Sequence, residues 1–135
     1  MFFNVSNHPI FTEKSTWSKE QREIAEIIGG ELVDIPFPTV TPDMPNSQIA
    51  MIAHEVARDL KGMSKNTLSA AMVAGEYATT IQIIAELQKV GIPCYFGQSE
   101  RIAEEREENG QVVVVHKFVF RNFRKAPAIQ LVEEE

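Results

Sequence analysis

Four short runs, Phe2–Val5, Glu31–Ile35, Thr67–Ala74 and Ile92–Phe96, alternate with three stretches whose apolar residues recur at helical spacing. That alternation constrains the chain more than any other feature. Strands joined by helical crossovers lie parallel in one sheet and leave helices on both faces. The predicted fold class is therefore α/β, a Rossmann-like parallel sheet flanked by helices. The first run loses its apolar character at Ser6, and Pro9, with no N–H to donate, ends any ladder. In a parallel sheet the loop Ser6-Asn7-His8-Pro9 then falls at the carboxyl ends of the strands, where open α/β sheets bind their ligands.

Ser18-x-x-Gln21 has the form of a capping box, and Ile24, Ile27 and Ile28 give the helix it opens an apolar face that ends at Gly29-Gly30. Trp17, just before it, reads as a packing anchor, with a base-stacking platform as the functional alternative. The second strand stops at Pro36-Phe37-Pro38. A second helix follows on Ile49, Ile52, Ala53, Val56 and Leu60; His54 falls off this stripe and reads as a surface residue. Lys61 to Asn66 is expected to be a loop and Thr67–Ala74 a strand of small residues suited to burial between layers. In Gly75-Glu76-Tyr77-Ala78-Thr79-Thr80 the glycine permits a tight turn and close approach of a ligand. The helix beyond it, through Ile81, Ile84, Ala85 and Leu87, offers its first amides to an anion. The turn lacks the lysine and the glycine pattern of a P-loop.

After Phe96 the pattern changes. Gly97–Glu108 and Gln111–Arg121 read as two long strands joined by Asn109-Gly110, a type I′ turn dipeptide, so a C-terminal β-hairpin is expected. Val113, Val115, Lys117 and Val119 alternate with Val112, Val114, His116, Phe118 and Phe120, giving one face for the core and one partly apolar face for another subunit. His116 reads as a structural or interface residue. The 135 residues, 44% of them apolar, fit a single domain over 1–127, followed by a solvated acidic tail over 128–135.

A net charge of −6 argues against binding of long nucleic acid, while Lys117, Arg121, Arg124 and Lys125 leave room for a small anionic ligand. The single Cys94, in an apolar run, excludes an internal disulfide and reads as an inert core thiol. No Cys or His pair has zinc spacing, so no metal site is expected. The N-terminal run has no basic segment before it, and no stretch approaches the ~20 apolar residues of a membrane span. The expectation is a cytoplasmic protein without a membrane partner.

Taken together, Ser6-Asn7-His8-Pro9, Trp17-Ser18-x-x-Gln21, Asp34-Ile35-Pro36-Phe37-Pro38, Gly75-Glu76-Tyr77, Ser99-Glu100-Arg101 and the run His116 to Arg124 resemble the small stand-alone CRISPR-associated proteins of type III loci. Those are similar to CARF domains and to the ring nucleases that degrade cyclic oligoadenylate. The resemblance implies a homodimer that binds cyclic oligoadenylate, in its tetra-adenylate form, in a cleft across the two-fold axis. It also implies cleavage without metal or other cofactor, by attack of a ribose 2′-hydroxyl on the neighbouring phosphate, which would switch off an antiviral signal. That chemistry asks for in-line positioning, charge stabilisation and proton transfer. On this reading His8 is the proton-transfer residue, Ser6 and Asn7 hold ribose or phosphate, and Gly75 and Glu76 present amides to an anion. Tyr77 and Thr79 line the site, Arg101 or Lys117 neutralises charge, and Ser99 accompanies them from the hairpin. A sensor or sequestering module that holds the ring without cutting it is the alternative.

Overall fold

The computed structural model describes residues 1–132. The element order is β1 (Phe2–Ser6), α1 (Lys19–Gly29), β2 (Leu32–Pro36), α2 (Asn46–Ser64), β3 (Ala70–Ala74), α3 (Tyr77–Lys89), β4 (Cys94–Glu108) and β5 (Gln111–Lys125). The strands form one sheet in the order β2-β1-β3-β4-β5. β1 is parallel to β2 and β3, β3 is parallel to β4, and only β5 runs antiparallel, as the hairpin partner of β4. The expected α/β architecture is present.

Strand alternation sends β1 side chains to both sides, and each side meets helices. Phe3 and Val5 pack with Ala53, Ala57 and Leu60 of α2 and with Ile83, Ile84 and Leu87 of α3. Phe2 packs on the other side with Ala25 of α1, Leu32, Met72 and Trp17. Burial on both sides explains why the central strands read as apolar runs. Gly29 lets the end of α1 rest on β1: a methyl there would come 2.9 Å from Phe2 Cβ.

Several boundaries differ from expectation, the second hairpin strand among them, which runs on to Lys125. The segment read as a loop from Lys61 is the last turn of α2, which continues to Ser64. The Ser64 hydroxyl donates to the Leu60 carbonyl at 2.9 Å, and Lys65 ends the helix in the left-handed region at φ 42°. β3 accordingly starts at Ala70 rather than Thr67. The fourth strand and the first hairpin arm are a single 15-residue strand. Gly97 does not interrupt it: a Cβ there would make only ordinary contact with Met72, whose Sδ lies 3.5 Å away.

Only the base of the β4–β5 pair belongs to the layered body, through Ala71 opposite Cys94 and Met72 opposite Tyr95. Continuing that register puts Ala74 level with Gly97, so everything from Ser99 onward rises past the carboxyl ends of the body strands as a two-stranded ribbon. A shift in register between Gln98 and Ser99 leaves Arg121 unpaired as a bulge. The bulge places Phe120 and Phe123, three residues apart, on one face with ring centroids 4.9 Å apart. Phe123 in turn meets Phe2 at 5.2 Å and Trp17 at 5.9 Å, so the α1-side core climbs into the base of the ribbon.

Farther out neither ribbon face reaches a core, contrary to the expected core face. Cross-strand pairing puts Glu100, Ile102 and Glu104 with Val119, Lys117 and Val115 on one face, and Arg101, Ala103 and Glu105 with Phe118, His116 and Val114 on the other. The start of the predicted tail is not loose. Ile129 packs against the core, its N–H donates to Gln88 Oε1 at 2.9 Å, and Gln88 Nε2 donates to the Pro127 carbonyl at 2.9 Å. Glu133-Glu134-Glu135, the acidic end of that tail, lies outside the described residues.

Candidate ligand-binding rim

β1 leads to β2 on one side of itself, and the chain then crosses to β3 on the other. The β1 and β3 loops therefore diverge at the carboxyl edge, which makes the crevice between them the place where an open sheet admits a ligand. Ser6 is paired with Ala74, so the His8 loop and the Gly75 turn leave adjacent strands at the same end. Two cavities lie there and share Asn7. One of about 260 Å³ is lined by Asn7, Phe37, Pro38, Thr39, Val40 and Glu76. The other, about 280 Å³, is lined by Ser6, Asn7, Pro9, Asp34, Ile35 and Pro36. A larger depression of about 500 Å³, between Phe11, the end of α1 and the start of β2, has only Glu26 and Glu31 as ionisable groups and lies away from the crevice.

The β1 loop is held by a buried polar network. Asn4, in the middle of a fully buried strand, donates through Nδ2 to the His8 carbonyl at 2.9 Å and to Asp34 Oδ1 at 3.0 Å. The Ser6 hydroxyl donates to Asn4 Oδ1 at 2.7 Å and accepts the His8 N–H at 3.1 Å. Asp34 accepts the Ile10 N–H at 2.9 Å and the Phe11 N–H at 3.1 Å. Trp17 Nε1 also donates to the His8 carbonyl, at 3.0 Å, and Arg22 Nη2 donates to the Ile10 carbonyl at 3.0 Å. A half-buried carboxylate is helped by such donors, and here they include the amides of the loop it fixes. Trp17 is buried against Phe2 and Phe123, so it is a packing anchor rather than a stacking platform.

These bonds redistribute the predicted roles. Ser6 is buried with its hydroxyl committed, so it shapes the loop. Asn7 and His8 are exposed at the rim, and among the described residues the His8 ring makes no hydrogen bond. Gly75 is exposed, but on the side where a Cβ would stand the Phe37 ring fills the space, and a methyl would meet it at 2.5 Å. The α3 amides are also taken. Glu76 turns its carboxylate onto its own helix and accepts from the Ala78 N–H at 2.7 Å, the Thr79 N–H at 3.2 Å and the Thr79 hydroxyl at 3.1 Å. An entering anion would compete with that cap. Thr79 is fully buried and lines nothing, while Tyr77 is 88% exposed at the first position of α3.

Ser99, Arg101 and Lys117 stand above the rim on the ribbon. Arg101 and Lys117 lie on opposite faces, the first across from Phe118 and the second across from Ile102. Lys117 is bound to Glu104 at 2.8 Å, a bond that lowers the Glu104 pKa from its ordinary value. Sequence reasoning missed Asn4 and Asp34. Their signal was a polar side chain inside each of two strands that otherwise read as apolar. Cys94 is buried, and loss of solvent pushes its thiol up to about 12, so it is not a nucleophile at neutral pH. His54 is an exposed residue on α2 that meets Glu86 of α3 at 3.4 Å. Among the described residues no three His, Cys, Asp or Glu side chains are grouped to hold a metal ion, and no helix is long and apolar enough to cross a membrane.

Sheet order, helical layers and rim together define an α/β protein with a divided ligand crevice at the carboxyl ends of β1 and β3. The chain matches the family described as the uncharacterized protein MJ1673 family over residues 1–124, from before β1 to the penultimate residue of β5, and belongs to it. No curated protein and no solved structure matches it.

Proposed function

We propose that the chain is a ring nuclease of the CARF-like, Rossmann-like kind: it takes a cyclic oligoadenylate, the tetra-adenylate, onto the carboxyl rim and opens the ring. The observation that carries this reading is the unpartnered His8 imidazole, exposed on a loop that the Asn4–Asp34 network holds rigid; His8 lines neither rim cavity itself but follows Asn7, which lines both. A ribose 2′-hydroxyl attacks its neighbouring phosphorus and the P–O5′ bond breaks. The products are a 2′,3′-cyclic phosphate and a 5′-hydroxyl. His8 takes the hydroxyl proton or supplies one to the leaving oxygen, and Asn7 holds the ribose or phosphate in line. Arg101, without an ion pair among the described residues, is the cation best placed for the phosphate charge; Lys117, held by Glu104, is not.

A second reading, binding without cleavage, is favoured by the commitment of Ser6, Glu76 and Thr79 to internal bonds, which among the described residues leaves His8 and Tyr77 as the predicted site residues with exposed, unpartnered proton-bearing groups at the rim. Incubation of the purified protein with labelled cyclic oligoadenylates of several ring sizes, with and without chelator, separates the two. Linear products ending in a cyclic phosphate support the first, and retention of the intact ring supports the second. No association with any ring size removes both. Under the first reading His8→Ala slows ring opening by about 10²-fold or more with little change in affinity, the scale of a general acid or base. Equal loss of rate and affinity would make His8 a holding residue.

A further inference from the structure

Both faces of the ribbon beyond Gln98 mix apolar and charged residues, but Ile102, Val113, Val115 and Val119 on the first are half-buried, whereas the apolar residues of the second stand open. On the first, Glu104 pairs with Lys117 at 2.8 Å and Glu100 with Arg121 at 2.7 Å. On the second, Val112, Val114 and Phe118 are 70%, 57% and 74% exposed, in line with the buried Phe120. An exposed apolar row of this kind, interrupted by His116, marks a contact surface, and an isolated two-stranded ribbon is marginal without one. We propose that a second copy of this chain covers the stripe, ribbon face against ribbon face, with the two ribbons running in opposite directions about a two-fold axis through Ala103 and His116.

Sterics set the direction. α1 lies on this same face of the sheet, with Ala25 packed near Phe2 and Phe123. Ribbons side by side in the same direction would bring two α1 helices, each about 10–12 Å thick, between sheets that must approach to about 10 Å. Opposed ribbons place the two bodies at opposite ends and avoid the collision. Charge fits the same arrangement. With the axis at Ala103, Arg101 stands over the partner's Glu105 and Phe118 over the partner's Val114, and the symmetry repeats both contacts. The small Ala103 lets the strands close at the axis. The area is modest: a ribbon face of about 35 Å by 10 Å is well under the ~800 Å² per partner of a standard interface, so the dimer is concentration-dependent.

The inference does not rest on the ligand reading, but it changes the expected site. Gly97, level with the rim, faces the partner's Asn109, so each rim is met by the partner's turn. The two rims lie about 40 Å apart, at about 3.3 Å per residue, each takes its own ligand instead of sharing a central cleft, and Arg101, paired across the interface, is withdrawn from the ligand phosphate in the dimer.

Sedimentation equilibrium without ligand, over a concentration series, tests the arrangement. The native chain should dimerise reversibly. Arg101→Glu and Glu105→Arg should each weaken association by about tenfold, since both symmetry copies of the pair become repulsive, and the double variant should restore it. Ala103→Cys should form a disulfide between subunits under mild oxidation, with the buried Cys94 giving no background. A monomer at every concentration, a double variant no better than the singles, or a Phe118→Ser variant that dimerises like the native chain would each overturn the proposal.

Discussion

The body and the ribbon are parts of one hydrogen-bonded sheet, yet they are held by different forces. Body strands have five residues and are covered on both sides by helices, so their stability is that of a packed core. The two ribbon strands have fifteen residues each and rely on backbone pairing, cross-strand contacts and surface ion pairs. Length and stability therefore run in opposite directions. Helical cover, and not the number of ladder bonds, decides which part of this sheet is robust.

The largest expected effect tests that directly. Leu87 is fully buried on α3 among residues of α2 and of the central strands, so Leu87→Ala should cost about 2–5 kcal/mol in urea unfolding. Val115→Ala on the ribbon, with only one neighbouring strand, should cost less than about 1 kcal/mol. Similar losses at the two positions would mean that the ribbon is covered as thoroughly as the body.

A smaller effect is expected at the junction between rim and core. Gly75→Ala pushes a methyl into the Phe37 ring, which is buried and packed against the α2 and α3 layer, and overpacking of this kind costs about 1–3 kcal/mol. Paired with Phe37→Leu, the same change should be better tolerated, read as recovery of the melting temperature. If Gly75→Ala alone is neutral, the Phe37 ring does not hold the turn and the space above it is open to a ligand.

The same contrast explains what the sequence made legible. Where cover is complete, pattern and structure agree: the alternation of apolar runs with helical stretches gave the sheet, and the Ser18 hydroxyl accepts the Gln21 N–H at 3.0 Å as the capping box required. Where a side chain from elsewhere in the chain decides the outcome, local reading failed. The close packing of Gly75 was not legible because the Phe37 that meets it comes from the β2–α2 loop. Glu76 does line a rim cavity, but short-range pattern could not tell that its carboxylate turns onto its own helix and takes the amides expected to meet an anion. The Asn4–Asp34 bond joins residues thirty positions apart and required the parallel register to be known first.

The smallest expected effect concerns acid. Lys117 donates to Glu104 and holds its pKa below the ordinary carboxylate value, with Arg106 contributing at 3.5 Å. A carboxyl with a depressed folded pKa contributes stability that is present above its unfolded value, near 4.3, and lost as pH falls through the folded one. Below about pH 4 the cross-strand order around Ile102 and Lys117 should therefore loosen before the body does. Because the pair is exposed, added salt at neutral pH should act in the same direction and weakly. Amide exchange followed by NMR reads both, as faster exchange in the ribbon at constant exchange in β1 and β3. Glu86 is also depressed: burial alone would raise it, but hydrogen bonds from Lys89 and His54 outweigh that, so the body has an acid-sensitive contact of its own between α2 and α3. Exchange that rises first in those helices would put the weaker link in the body, and the order of strength between the two regions would reverse.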